Sequence, residues 1–184
     1  MKTYGITILN LQRPLGMSKK IALGCSHTYG IGVERNEAWP HLLDATNYGV
    51  PGCSSDLIAR TLPTILEKET PDTVYILWPD WTRFEYFKNE EWVQSLPTDD
   101  DRILFMESHP EQWCHENFNK QVTIVRDLCK DITLNMMTLY DLIPHIDHAD
   151  QWPLSKLGHH YAPEWHQWVA DIFTNNTDFP LSHG

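Results

Sequence analysis

Apolar residues follow two rhythms along this chain, and each rhythm predicts an element. Unbroken runs at Ile21 to Cys25 and Val74 to Trp78 have no polar alternate, the pattern of strands buried on both faces. Shorter runs, Thr46 to Val50 and Ile132 to Met136, predict two more strands. Between them the spacing changes to three and four. Trp39, Leu42 and Leu43 fall on one helical face behind a cap at Asn36, and Leu57, Ile58, Leu62, Ile65 and Leu66 on another behind a cap at Ser54 or Ser55. Pro63 is expected to kink or divide that second helix. Phe118, Val122, Val125, Leu128 and Cys129 mark a third, and Trp165, Trp168, Val169, Ile172 and Phe173 a last one after Pro163. Alternating strands and helices argue for an α/β fold with a mostly parallel sheet covered on both faces. In that architecture ligands gather at the carboxyl ends of the strands.

At 184 residues one domain accounts for the whole chain. Residues 1–18 read as an N-terminal extension. They are apolar only from Ile6 to Leu11, too short for a signal-peptide core or a membrane span, and are either an added strand or a stretch ahead of a start at Met17. Residues 79–116, rich in Trp, Asp, Glu and Pro, follow a strand directly and read as an insertion or lid on the functional rim. Trp81, Phe84, Tyr86, Phe87, Trp92 and Trp113 either pack that lid or offer a surface to sugar faces and acyl chains.

Charge and cysteine usage narrow the partners. Lys plus Arg number 14 against 25 Asp plus Glu, a formal charge of −11, which repels phosphate backbones and anionic headgroups. Neither nucleic acid nor a membrane is an expected partner. Cys25, Cys53, Cys114 and Cys129 are widely spaced, with no C-x-x-C pair, so neither a disulfide framework nor a thiolate zinc site is indicated. His159, His160 and His166 lack a neighbouring carboxylate or cysteine to complete a metal set. The expectation is a cytoplasmic, soluble protein without metal or cofactor.

The densest chemistry is LGCSHTYGIGV, residues 23–33. A strand-to-helix turn needs one glycine and one cap, and this stretch holds more. The pattern G-x-S-x-T-x-G, here Gly24, Ser26, Thr28 and Gly30, resembles the nucleophile block of the SGNH, or GDSL-like, hydrolases, with Cys25 in place of the usual Asp. A second block, Asn47-Tyr48-Gly49-Val50-Pro51-Gly52 followed by Cys53-Ser54-Ser55, resembles the family's second, whose glycine amide helps hold an oxyanion. A third, His160-Tyr161-Ala162-Pro163, leads into the final helix as the family's catalytic histidine does. Together the blocks run from residue 21 to about 170.

This resemblance implies a flavodoxin-like three-layer αβα sandwich and acyl transfer. Ser26 would be the nucleophile, His160 its base, and the amides of Ser26 and Gly52 the oxyanion donors. Without it, Ser26 reads as a helix cap and His160 as a surface imidazole near a helix start. The family's Asp, three residues before its histidine, is here Leu157, or Lys156 if His159 is the base; Asp147 or Asp150 from the preceding loop, or a Ser-His dyad, would have to serve. Losing that function costs a trypsin-like triad about 10⁴ in rate. The family's G-x-N-D block aligns with Trp78-Pro79-Asp80-Trp81, so Asp80 stands where Asn should donate. An ionised carboxylate about 4 Å from a forming oxyanion costs about 4 kcal/mol at an effective dielectric near 20. Arg83 is the expected replacement donor and the Trp81 indole the second choice, unless Arg83 is paired with Asp80 or Glu85.

Two functions are therefore expected in competition. One is a serine-dependent ester hydrolase that cleaves a small-molecule or glycan ester through an acyl-Ser26 intermediate. The other is a catalytically silent relative that keeps the fold as a binding or structural module. A nucleotide binder is disfavoured, because Gly24 to Gly32 has no G-x-G-x-x-G fingerprint and no phosphate-binding lysine.

Overall fold

Lys20–Gly24 forms β1 because Ile21, Ala22 and Leu23 must be covered on both sides, and the sheet supplies a neighbour along each edge. The computed structural model describes residues 18–95, 111–138 and 160–175. Within them β1, β2 (Ala45–Asn47), β3 (Thr73–Trp78) and β6 (Thr133–Thr138) make a parallel sheet in the order β2-β1-β3-β6. The register sets Ile21 beside Val74 and Val74 beside Leu134, so apolar positions run in rows across three strands. Two further strands, β4 (Glu85–Lys88) and β5 (Glu91–Gln94), pair antiparallel as a separate hairpin.

Alternation along the strands divides the core in two. On one face Ile21, Leu23, Val74, Ile76 and Trp78 pack with Ile58 and Leu62 of α3 (Ser55–Glu69) and with Phe118, Val122 and Val125 of α4 (Glu111–Leu128). On the other, Ala22, Tyr75, Leu77 and Met137 meet Trp39 of α2 (Trp39–Leu42) and Trp165, Val169 and Phe173 of α5 (Pro163–Asn175). Helices thus cover both faces of a parallel sheet, the three-layer αβα arrangement that the alternating pattern predicts.

Several boundaries differ from the sequence reading. Ser54 is the cap of α3, its Oγ accepting from Leu57 N at 3.2 Å. Pro63 does not divide that helix, which runs on to Glu69 with Pro63 on its exposed side, where a missing N–H costs least. The second strand ends at Asn47 because that side chain turns to bond other backbone, donating to the Thr28 carbonyl. Residues 111–116, expected in the insertion, are the opening of α4. The hairpin is tied down by Arg60 of α3, whose Nη2 and Nε reach the two Glu85 oxygens at 2.7 and 2.9 Å, and by Asp56, which accepts from Glu85 N at 3.1 Å. Among the described residues no helix is long and apolar enough to cross a membrane.

Candidate active site

The chain passes from β1 to β2 on one side and returns to β3 on the other, so the carboxyl end of β1 is a topological switch point, where doubly wound sheets leave a crevice. Ser26 heads the one-turn helix α1 (Ser26–Tyr29) there and is 8% exposed. The cap position belongs to Cys25, whose carbonyl accepts from Thr28 N and Tyr29 N at 3.0 and 2.9 Å; Ser26 is already helical. The cap reading of Ser26 is therefore corrected. Gly24 makes the turn possible, because a Cβ there would lie 2.6 Å from the Leu77 carbonyl oxygen and 2.1 Å from Thr28 Oγ1.

The second sequence block is bonded directly onto this turn. Asn47 Nδ2 donates to Thr28 O at 2.8 Å, Gly49 N to Asn47 Oδ1 at 2.8 Å, and Val50 N to Gly24 O at 2.9 Å. Contact is close enough that a Cβ on Gly49 would sit 2.4 Å from Tyr29 N. Gly52 follows in the turn that closes this loop, and Cys53 N returns to Val50 O at 3.1 Å.

From the far end of the chain, His160 packs its ring against His27, with centroids 5.3 Å apart. His27 also meets Tyr161 at 5.4 Å and Trp165 at 5.3 Å, and its Nδ1 lies 3.7 Å from Cys25 Sγ. Burial first, then the neighbouring His160, His166 and Arg83, lower the His27 pKa from 6.5 to about 3. His166 is 1% exposed, its Nδ1 accepting from Trp39 N at 3.3 Å, and burial is the main cause of its lowering to about 4. Both rings are neutral at pH 7. No hydrogen bond joins His160 to Ser26 Oγ among the described residues, although such contacts in unliganded sites are often long and tighten with substrate.

The loop after β3 resolves the rivalry over Arg83. Asp80 Oδ1 accepts from Thr82 N at 2.8 Å and Thr82 Oγ1 at 2.6 Å, a local Asx turn. Glu85 is taken by Arg60 and Gln94. Neither acid holds Arg83, whose Nε and Nη1 are buried with no hydrogen-bond partner. Its charge is felt at His27, and it also partly opposes the burial that raises the Cys53 pKa. Trp81 stacks on His115 of α4 at 3.8 Å, which accounts for its ring by packing.

The residues around Ser26 are thus tied to distant parts of the chain: Gly24 bonds the loop that leads to Gly52, His27 meets His160, and the Arg83 charge is felt at His27, while Asp80 and Trp81 lie in the loop that leads to Arg83. Asp150 and His159 lie outside the described residues, as do Asp147 and Leu157. The sequence reading missed His27. A histidine immediately after the candidate nucleophile was its only signal, and the rings around it come from Trp165 of α5 and from His160 and Tyr161 just ahead of that helix, far away in sequence. Among the described residues no group of His, Cys, Asp or Glu could hold a metal ion. Cys25, Cys53, Cys114 and Cys129 are buried, form no disulfide and pack as core residues.

No protein-family model and no curated protein matches the chain. A solved G-D-S-L-family protein from Desulfitobacterium hafniense DCB-2 is similar in fold, with TM-score 0.57 and 13% identity over 88% of this chain and 100% of that one. A psychrotrophic esterase from Pseudoalteromonas sp. superposes at TM-score 0.48 with 14% identity, over 86% of this chain and 96% of its own. A family 3 carbohydrate esterase from Clostridium thermocellum gives 0.49 and 12%, over 87% and 94%. The first of these shows that the chain shares the α/β fold of that G-D-S-L-family protein.

Proposed function

We propose that this protein is a divergent SGNH hydrolase, a serine-dependent ester hydrolase acting on a small-molecule or glycan ester. Ser26 Oγ attacks the ester carbonyl while His160 takes its proton. Negative charge collects on the carbonyl oxygen, facing the amides of Ser26 and Gly52 and the Arg83 guanidinium. Collapse expels the alcohol, protonated by His160, and leaves acyl-Ser26, which water then hydrolyses by the same steps to release the acid.

What supports the reading is convergence: the loop from Asn47 bonds to the turn that holds Ser26, His160 packs on His27, the residue after Ser26, and the Arg83 charge acts on the same His27. Arg83 brings a fixed charge where Asp80, turned onto Thr82, leaves the family's donor position empty of an N–H. The silent-relative reading draws on that same Asp80 and on the Ser26 to His160 gap.

One experiment separates the two. Incubation with a fluorophosphonate probe, followed by mass mapping, is expected to give a single adduct on Ser26, absent from Ser26→Ala and His160→Ala. An unlabelled protein that turns over p-nitrophenyl acetate no faster than Ser26→Ala establishes the silent relative instead.

A further inference from the structure

A guanidinium is permanently charged, so burial cannot be relieved by losing a proton as it can for a histidine or carboxylate. Arg83 has two nitrogens, Nε and Nη1, out of water and donating to nothing. The acids nearest in the chain do not balance it: Asp80 turns to Thr82, and Glu85 answers Arg60 and Gln94. The two groups at which its charge is felt are neutral at pH 7, since burial keeps His27 unprotonated and the Cys53 thiol protonated. Among the described residues the Arg83 charge is therefore uncompensated, with two unused donors, and it is felt at His27, the residue after Ser26. Open buried donors are costly, and an arrangement of this kind is relieved by an anion from outside the chain.

The chemistry of that anion follows if the site hydrolyses esters, and to this extent the inference rests on the function proposed above. An ester enters neutral, but its acid leaves as a carboxylate at pH 7, formed at the carbon that Ser26 attacked. Carboxylates match the planar N–H geometry of a guanidinium better than they match a point charge. We propose that Arg83 is a ground-state binding site for a small carboxylate anion, so that the released acid competes with substrate and slows turnover.

The test measures binding rather than catalysis. Sodium acetate is titrated into the whole protein by isothermal calorimetry at pH 7 and constant ionic strength, with neutral acetamide as control. Saturable acetate binding is expected, with acetamide silent. Arg83→Gln should weaken binding at least tenfold, Arg83→Lys should weaken it less than Gln, and Ser26→Ala should leave it within about twofold. If Arg83→Gln does not fold, the Arg83 Nε–H resonance of the unaltered protein takes its place and should shift saturably with acetate. Absence of saturable binding, acetate affinity equal in Arg83→Gln and the parent protein, or an Arg83 resonance that does not move overturns the proposal. Acetate bound at Arg83 with no fluorophosphonate on Ser26 sinks the hydrolase and keeps the anion site. Labelling without acetate binding does the reverse.

Discussion

The His27 ring lies 5.3 Å from the His160 ring, so the residue that follows Ser26 in the chain packs against one from the far end of the chain. Tyr161 and Trp165 pack against the same His27 ring, and burial holds His27 neutral, which spares His160 a facing charge.

Packing, rather than protonation, should therefore be what His27 contributes. His27→Phe is expected to keep kcat/KM within about threefold, whereas His27→Ala, which removes the ring, should lower it about 10²-fold through misplacement of the base. Steady-state hydrolysis of p-nitrophenyl acetate decides this, and equal losses in both variants would mean the imidazole itself is needed.

Acid should loosen the fold before it protonates ordinary carboxylates. His27 and His166 have pKa values lowered from 6.5 to about 3 and about 4, so the unfolded chain binds protons that the folded chain refuses. Their stabilising contribution is complete above pH 6.5 and disappears as the pH falls towards 3 to 4. At pH 5 each accounts for a loss of about 2 kcal/mol. Urea midpoints at pH 7 and pH 5 measure the loss, which His27→Phe should roughly halve; a stability unchanged between those pH values contradicts it.

At the first turn, Gly24→Ala forces a methyl group against the Leu77 carbonyl and Thr28 Oγ1. Neither backbone can retreat without breaking the β1–β3 pairing, so a cost of about 1–3 kcal/mol is expected. The exposed Glu67→Ala serves as a reference and should stay within about 0.5 kcal/mol. Chemical denaturation compares them directly.

Arg60 tests how the hairpin is held. Its side chain is 44% exposed while that of Glu85 is only 2% exposed, and the guanidinium lies 5.8 Å from the Trp92 ring centre. Arg60→Leu is expected to cost about 1–3 kcal/mol, mostly because a buried carboxylate loses a partner. Adding Glu85→Gln, which removes the stranded charge, should recover most of it. A double-mutant cycle in urea gives the answer; additive losses would mean the charge is not the cause.

Much of this architecture is legible in residue spacing, because β1 and β3 are unbroken apolar runs and α3, α4 and α5 carry clear helical stripes. The parallel sheet follows from their alternation. Contacts between distant segments are not legible in the same way. Nothing near His27 announces that Tyr161 and Trp165 will enclose it, and nothing in the loop after β3 shows that Thr82 and Arg60 will claim the two acids that could have neutralised Arg83. His166 looks like a polar residue at a helix start, but its burial depends on the backbone of Trp39, more than a hundred residues away. Local pattern fixes elements, whereas the electrostatics of the rim emerge only from which elements become neighbours.

The pairing of β3 with β6 has a consequence for how the molecule is made. Thr73 finds its partner in Thr133 and Trp78 in Thr138, so β3 offers one apolar edge with no mate until synthesis has moved sixty positions on. A nascent chain stopped before Thr133 carries β1, β2 and β3 with that edge bare, open to a second ribosome's product or to a chaperone. Fragments ending between residues 95 and 130 should accordingly precipitate where the intact chain remains dispersed.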